Sequence, residues 1–485
     1  MQQDQSIMES VLEEFGKITQ IPRQSGHEEK ISSYLLETIR AMGLKVKQDE
    51  HLNIIADKPA TAGYEAVELT VLQAHMDMVC VAADGVKFDP LTDAIQVVRE
   101  GDYLSANGTS LGADDGIGVA EILYILQSDF SHGPLRAIIT VDEEQGMTGA
   151  IGLAKEHLAD AAYVINCDSE DYDVLTVGSA GNIVVNFEKE ISWEKPIGGF
   201  AHKIVLTGLI GGHSGEEINC GHANAIRLLA LTLRKLQAAG IDIELGSFDG
   251  GMARNAIAAK AEAVVVSSKD CLDQIKTVLE EALQTFQRGY GEVEKNMTLT
   301  AQSTVMPTCT MAAKDRDGLL GLLCLLHTGV YAMSQAMPGL PETSANIGRA
   351  ETLADKLKIQ VLPRSANDAK LDEFKQIADA AALLSGFSAC YGAQSPGWAQ
   401  KVGGTRLQHL MTDVFFEQNQ KEMKVASIHA GLECGWFFQK NPNLDVVSIG
   451  VTTSGIHSPE EKIKLSTIAP QVNLIMTVLS RLINA

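Results

Sequence analysis

At residues 67–79 the chain reads VELTVLQAHMDMV. The first part of this stretch is rich in apolar and β-favouring residues, which predicts a buried strand. Because side chains alternate along a strand, His75 and Asp77 lie on the same side of its end. Open α/β sheets carry their chemistry at the carboxyl ends of strands. The stretch therefore predicts an α/β layer structure and one part of a functional site.

The composition narrows the classes of protein to which the chain can belong. It has 485 residues, of which 45% are hydrophobic and 21% are charged, as is typical of a globular protein. The formal net charge of -23 argues against nucleic acid and anionic membranes as partners, because both are negative. No apolar run approaches the roughly 20 residues of a membrane helix, and the first residues do not form a secretory signal. Since the eight cysteines stand singly without a C-x-x-C pair, we expect reduced thiols and a cytoplasmic protein.

The pattern of predicted helices and strands changes twice along the chain, near residue 180 and again near residue 396. In the first part, strand and helix patterns alternate, which favours an α/β layer structure. Later segments such as 182–187 alternate like strands of a half-exposed antiparallel sheet. We therefore predict a discontinuous α/β domain formed by residues 1–180 and 396–485, with an inserted domain at 181–395.

Acidic and imidazole side chains stand at the ends of several predicted elements in the α/β part. They are Asp114, which opens a buried helix, Glu143 and Glu144 after one strand, Asp168 after the next, and His457 after a late strand. Each alone has an ordinary structural explanation, such as a helix N-cap or a turn residue. A cluster of carboxylates is unfavourable unless a cation neutralises it. Together with His75, these side chains form an oxygen and nitrogen ligand set that suits Zn2+, Mn2+ or Co2+.

Five ligands can hold two metal ions, with three ligands each, only if one carboxylate bridges the ions. In two-metal hydrolytic sites the ions lie roughly 3.5–4 Å apart and share a water molecule. Glu143 would then stand beside the metals, where a general base takes a proton from water. Asp77 would fix the tautomer of the His75 imidazole.

These motifs resemble, in their order, the co-catalytic zinc metallopeptidase family that includes aminoacylases, carboxypeptidases and carnosinases. Within that family, further motifs are similar to those of the aminoacyl-histidine (Xaa-His) dipeptidases. They are LQAHMDMV at 72–79, GGHSG at 211–215, RNAI at 254–257, IHAGLECG at 428–435 and HSP at 457–459. The resemblance covers nearly the whole chain. It implies a zinc-peptidase catalytic domain with a mixed sheet flanked by helices, and an inserted α+β lid domain.

The resemblance also implies the roles of the metal-site residues. One zinc ion would be held by His75, Asp114 and Asp168, and the other by Asp114, Glu144 and His457. Glu143 would be the general base and Asp77 the orienting residue. The peptide bond between Asp114 and Asp115 would be cis.

Substrate-binding residues follow from the same resemblance. His213 would polarise the scissile carbonyl, either within its own subunit or, as in dimeric relatives, from the partner subunit. Arg364 would bind the terminal carboxylate of the substrate, a task for which a planar bidentate donor is suited. Asn255 would add a hydrogen bond, and Glu433 would bind the free ammonium group. We expect a homodimer.

We predict a dinuclear-metal hydrolase that cleaves dipeptides of the Xaa-His type, including β-alanyl-histidine. A deacylase of N-acyl amino acids would use the same metals and is the main alternative. GTSLG at 108–112 fits the G-x-S-x-G motif of serine hydrolases, but the segment before it is short and polar, and Glu143 would have no role. A non-catalytic module on the same fold would lack the base that Glu143 supplies.

Overall fold

The structure is a computed structural model that describes residues 2–483. Its α-helices within that range are α1 (Gln2–Ile18), α2 (Glu29–Ala41), α3 (Ala113–Gln127), α4 (Thr148–Gly152), α5 (Ala225–Ala238), α6 (Leu272–Tyr290), α7 (Ala313–Leu325), α8 (Asp368–Ser385), α9 (Arg406–Asn419), α10 (Glu433–Lys440) and α11 (Ile468–Arg481). Among these residues, no helix is both long enough and apolar enough to cross a membrane.

The strands of residues 2–483 form three sheets. In chain order they are β1 (Lys45–Gln48), β2 (Ile54–Lys58), β3 (Leu69–His75), β4 (Val97–Glu100), β5 (Tyr103–Ala106), β6 (Leu135–Thr140), β7 (Ala161–Asn166), β8 (Val174–Ser179), β9 (Gly181–Glu190), β10 (Trp193–Glu194), β11 (Phe200–Thr207), β12 (Glu244–Gly250), β13 (Ala261–Ser267), β14 (Thr298–Ser303), β15 (Thr310–Met311), β16 (Gly329–Met333), β17 (Pro341–Thr352), β18 (Lys356–Ser365), β19 (Ser388–Ser395), β20 (Lys424–Ile428), β21 (Asp445–Ser448), β22 (Thr453–Ser454) and β23 (Lys462–Lys464).

The chain divides into two compact units. The first unit consists of Met1–Gly178, Gln400–Ser427 and Leu432–Ala485, and the second of Ser179–Ala399 and Ile428–Gly431. The predicted insertion at 181–395 therefore lies inside the second unit. That unit also takes in the adjoining residues and the short Ile428–Gly431 segment, because the backbone N–H of Ala180 donates to the carbonyl of Ala430 at 2.9 Å.

A mixed eight-stranded sheet runs through the first unit, in the order β1-β2-β6-β3-β7-β21-β8-β20. Strand β3 lies between β6 and β7 and pairs in parallel with both. Strands β1 and β2 extend the sheet in antiparallel fashion beyond β6. Because β3, β6 and β7 are parallel neighbours, their carboxyl ends meet at one edge, where α/β proteins place their functional groups.

The apolar run of the opening stretch explains why β3 is central. Six of its seven residues are buried, as expected of a parallel strand that helices cover on both faces. Helix α3 packs on β3, and α1 packs on α3. This arrangement confirms the predicted α/β class.

A small sheet in the same unit, ordered β22-β23-β5-β4, supports a late loop of the chain. Strands β22 and β23 pair in antiparallel fashion, with Ser454 opposite Lys462. The connection between them carries His457. The loop is therefore fixed at both ends by backbone pairing.

The second unit is an α+β structure, as predicted. Its strands form an eleven-stranded sheet whose main order is β14-β11-β13-β12-β17-β18-β9-β19. Buried and partly exposed residues alternate along strands such as β9, which buries Ile183, Val185 and Phe187. Helices α5 to α8 pack against the sheet and share one hydrophobic core with the buried strand residues. One face of the sheet is therefore covered, which is the usual arrangement of antiparallel sheets.

Candidate metal centre

His75 ends β3 and is fully buried. Its Nδ1 atom lies 3.3 Å from Oδ1 of Asp77, which is also fully buried. Its Nε2 atom lies 3.0 Å from Oδ1 of Asp114 and 3.6 Å from Oδ1 of Asp168. The imidazole thus has a supporting carboxylate at one nitrogen and directs the other at two carboxylates, which is the arrangement of a metal-ligating histidine.

Asp114 stands at the start of α3, where the backbone is not yet helical (φ -79°, ψ 107°). The peptide bond between Asp114 and Asp115 is cis, as the resemblance implied. Oδ1 of Asp114 lies 3.0 Å from Nε2 of His75, and Oδ2 lies 3.2 Å from Nε2 of His457. Its two oxygens therefore face two different imidazoles, as a bridging carboxylate requires.

His457 completes the cluster from the β22–β23 connection. Its backbone has a φ of 58°, a left-handed conformation that residues other than glycine seldom adopt. Its Nε2 atom lies 2.9 Å from Oε2 of Glu144. Ligand atoms of His75, Asp114 and Glu144 all lie within 4.8 Å of one another. The structure therefore brings all five predicted ligands together in the first unit.

Asp77 fixes the loop that carries the two glutamates after β6. Its Oδ1 and Oδ2 accept hydrogen bonds from the backbone N–H groups of Glu143 at 3.1 Å and Glu144 at 3.3 Å. Oγ of Ser25 donates to Oδ2 at 2.8 Å. Within the described part of the chain, the Glu143 carboxylate makes neither a hydrogen bond nor an ion pair. It is therefore available for proton transfer beside the ligands.

Negative charge is concentrated in this centre, in which His75 is buried and His457 is exposed. Burial raises the pKa of Asp168 to about 7. Burial, together with the charge of Asp168, raises the pKa of Glu143 well above its usual value. Hydrogen bonds to Asp114 and Glu144 raise the pKa of His457 to about 10. A cluster of this kind is stabilised by cations placed among the carboxylates.

The donor atoms fit a pair of divalent ions. Both imidazoles direct Nε2 at carboxylate oxygens, at distances from 2.9 to 3.6 Å. Imidazole nitrogen and carboxylate oxygen without thiolate suit Zn2+, Mn2+ or Co2+. The cluster can thus hold metal ions in the two predicted sets that share Asp114.

The serine-hydrolase interpretation fails on the position of Ser110. Ser110 is fully buried. Its Oγ donates to the carbonyl of Val79 at 2.7 Å and accepts from the N–H of Val81 at 3.1 Å. The hydroxyl therefore holds two chain segments together and is not presented to a substrate.

Glu433 begins α10 and is fully buried. Its Oε2 atom accepts hydrogen bonds from Nε2 of Gln73 at 2.6 Å and from Oγ1 of Thr140 at 2.7 Å. Burial raises its pKa to about 8. In this arrangement Glu433 links α10 to β3 and β6 near the strand ends, and its binding of a substrate ammonium group stays a prediction.

Arg364 lies in β18 of the second unit and is only 6% exposed. Its guanidinium makes no hydrogen bond or ion pair within the described residues. Burial lowers its pKa to about 10. Because a buried charge without a hydrogen-bonded partner is unfavourable, this guanidinium is suited to bind an anion such as a carboxylate.

His213 lies in the loop between β11 and α5. Its backbone N–H donates to Oε2 of Glu217 at 2.6 Å. Burial and the charge of Arg364 lower the pKa of His213, which favours the neutral imidazole. Asn255 is exposed, and its carbonyl accepts from the N–H of Ser214 at 2.8 Å. Within the second unit, Asn255 therefore lies beside Ser214, the residue after His213.

Two residues close to the centre were missed by the sequence analysis. Arg23 and Glu461 are buried, and both bind the backbone of loops that carry predicted ligands. Their side chains bond to backbone groups that any residue would offer, so no side-chain pattern pointed to them. The position of Glu461, four residues after His457, is the one signal that could have drawn attention to it.

Comparison with known proteins gives a family and close relatives. Residues 71–481 match the model of peptidase family M20/M25/M40. The chain is 36% identical over 470 residues to the cytosol non-specific dipeptidase of Escherichia coli (strain K12), covering 96% of each protein.

Solved structures share the fold. The aminoacylhistidine dipeptidase of Vibrio alginolyticus superposes with a TM-score of 0.91 at 32% identity, covering 97% of this chain and 96% of that one. The aminopeptidase PepT of Bacillus cereus ATCC 10987 has a TM-score of 0.57 at 17% identity, covering 98% of this chain and 99% of that one. At 17% identity, the similarity to PepT shows only a shared fold.

Proposed function

Because the chain belongs to peptidase family M20/M25/M40, we propose that it is a metal-dependent hydrolase of dipeptides. The observation that carries this proposal is the position of Asp114, whose two oxygens face His75 and His457. The proposal is supported by full-length similarity to one relative named a dipeptidase. A solved relative named an aminoacylhistidine dipeptidase further supports Xaa-His dipeptides, including β-alanyl-histidine, as substrates.

Two divalent ions would be held by the five ligands, with His75 and Asp168 on one side of Asp114 and Glu144 and His457 on the other. Zinc is the ion we propose, and manganese or cobalt would suit the same donors. When bound, such ions supply Lewis acidity and lower the pKa of water.

The chain's own residues move the protons and hold the geometry. Glu143 takes a proton from the water that attacks the peptide carbonyl and delivers it to the leaving nitrogen as the C–N bond breaks. The raised pKa of Glu143, caused by burial and then by Asp168, suits a group that both accepts and returns a proton. Asp77 orients His75 and, through two backbone N–H groups, holds Glu143 in place.

Substrate recognition is assigned to the second unit, which we propose is a lid and dimerisation domain. Its proposed bounds remain 181–395, with the catalytic domain formed by 1–180 and 396–485. Arg364 would bind the terminal carboxylate, since its buried guanidinium makes no hydrogen bond or ion pair among the described residues. His213 would polarise the carbonyl, and Asn255 would add a hydrogen bond. We propose a cytoplasmic homodimer, in which His213 acts within its own subunit or in the partner's.

The test compares substrates on metal-loaded protein. Purified chain, stripped with a chelator and reloaded with Zn2+, Mn2+ or Co2+, is assayed with β-alanyl-histidine, other Xaa-His dipeptides and N-acetyl amino acids. We expect hydrolysis of the dipeptides and little action on the N-acetyl compounds. Preferential hydrolysis of N-acetyl amino acids would show a deacylase, and full activity of the stripped protein would rule out the metal-dependent reaction.

A further inference from the structure

A buried arginine holds two of the loops that carry predicted metal ligands. Arg23 is 1% exposed. Its Nη1 donates to the carbonyl oxygens of Met76 at 3.0 Å and Asp77 at 2.9 Å. Its Nη2 donates to the carbonyl of Gly112. One guanidinium therefore ties the end of β3 to the loop before α3, using the fork of donors that lysine lacks.

A buried glutamate holds the same loop through its N–H groups. Glu461 is 2% exposed. Its Oε2 accepts from the backbone N–H groups of Leu111 at 2.7 Å and Gly112 at 2.9 Å, and its Oε1 accepts from Ala113 at 2.7 Å. A carboxylate at the start of a helix makes strong charge-assisted contacts of this kind. Because Glu461 follows His457 by four residues, it ties the His457 loop to the start of α3.

Gly112 is the residue at which the two side chains meet. Its N–H donates to Glu461 and its carbonyl accepts from Arg23. Its backbone has a φ of 70°, and a Cβ atom there would lie 2.6 Å from Sδ of Met78. Only glycine fits a left-handed conformation at such a close approach.

We propose that Arg23 and Glu461 are positioning residues that set the spacing between the three ligand-bearing loops. Asp114 directly follows the residues whose backbone Arg23 and Glu461 bind. Its two oxygens therefore reach His75 and His457 only if the loop before α3 keeps its position between them. The two side chains act through backbone groups, since neither bonds to a ligand side chain. The inference rests on the proposed function in one respect, namely that the centre binds metal ions.

The test uses the full-length chain and two readouts that do not depend on turnover. In Glu461→Gln, an amide of the same size keeps one acceptor oxygen but directs N–H donors at the backbone N–H groups that the other oxygen bound. The matched control is Glu294→Gln, because Glu294 is a buried carboxylate of the second unit that also accepts two backbone N–H groups, from Ile210 and Ala223. Zinc affinity is measured by competition with a chromophoric chelator. Amide hydrogen exchange of residues 111–114 is measured on the metal-free protein.

We expect Glu461→Gln to raise the dissociation constant of at least one zinc ion by roughly 10- to 100-fold, the usual effect of losing a residue that supports a metal ligand. Exchange at 111–114 should accelerate, while Glu294→Gln should bind zinc like the wild type. Wild-type affinity and exchange in folded Glu461→Gln, or an equal loss in the control, would overturn the proposal. If Glu461→Gln does not fold, Arg23→Lys decides by the same two measurements. A wild-type chain that binds no metal would instead sink the proposed function.

Discussion

Asp77 offers the sharpest test of how the protein sets its metal centre. Its carboxylate accepts hydrogen bonds from Ser25 at 2.8 Å and from the N–H groups of Glu143 at 3.1 Å and Glu144 at 3.3 Å. It also faces Nδ1 of His75 at 3.3 Å. Burial opposes ionisation, but contact with His75 outweighs it and lowers the pKa of Asp77. Asp77 is therefore an ionised acceptor surrounded by donors.

Replacing Asp77 with Asn keeps the size of the side chain but leaves one oxygen. If that oxygen stays toward His75 and Glu143, the amide nitrogen faces Ser25 and the backbone N–H of Glu144. The Ser25 hydroxyl can rotate to accept a hydrogen bond from the amide, but the Glu144 N–H is only a donor and loses its acceptor. A hydrogen bond to a charged group contributes about 1.5–3 kcal/mol. Losing one such bond therefore changes an equilibrium constant by roughly 10- to 100-fold.

We expect Asp77→Asn to weaken zinc binding by roughly 10- to 100-fold and to lower kcat/KM at limiting zinc. Zinc affinity is measured by chelator competition, and turnover with an Xaa-His dipeptide. Asp57→Asn is the control, because Asp57 pairs with Arg136 at 2.8 Å and not with a proposed ligand. Wild-type zinc affinity and turnover in Asp77→Asn would refute the reasoning.

Three further predictions follow from single side chains. Glu143→Gln should lower kcat by about 100- to 10,000-fold while both ions stay bound, because proton transfer is lost; near-normal turnover, or loss of metal in a metal analysis, would contradict the assignment. Arg364→Lys should raise KM for dipeptides by roughly 10-fold or more with a smaller change in kcat, since one ammonium cannot replace a bidentate fork; steady-state kinetics with an unchanged KM would exclude the carboxylate role. Burial, then the charge of Arg364, lowers the pKa of His429 from 6.5 to about 4. Between pH 6.5 and 4, His429 therefore binds a proton in the unfolded chain but not in the folded protein. As the pH falls through this range, His429 should lower the free energy of unfolding by about 3 kcal/mol. Above pH 6.5 it should have no further effect. In denaturant titrations, the free energy of unfolding of His429→Gln should fall less between pH 6.5 and 4 than that of the wild type. Identical pH profiles of the two proteins would disprove this role of His429.

Much of the first unit follows from local sequence patterns. The apolar run of β3 dictates a strand buried on both faces, and parallel strands of that kind place their polar ends at one edge of a sheet. His75, Asp114, Glu144, Asp168 and His457 could be named in advance because imidazoles and carboxylates are common metal ligands and these five stand at the ends of predicted elements. The resemblance then assigned their roles.

Tertiary structure decided which of these groups meet and what holds them. That Asp114 directs one oxygen at His75 and the other at His457 follows from strand order and loop geometry across more than 300 residues. The burial of Glu433 against Gln73 and Thr140 depends on the packing of α10, which the sequence does not indicate because a glutamate side chain is usually exposed.

The sequence by itself determined the chemistry of the centre, because donor type is a property of each side chain. Arg23 and Glu461 show what it could not determine. Their partners are backbone carbonyl and N–H groups, which every residue carries and which therefore leave no mark on the sequence. Only the folded chain brings Gly112 between these two charges, because the contacts span 89 and 349 positions of the chain.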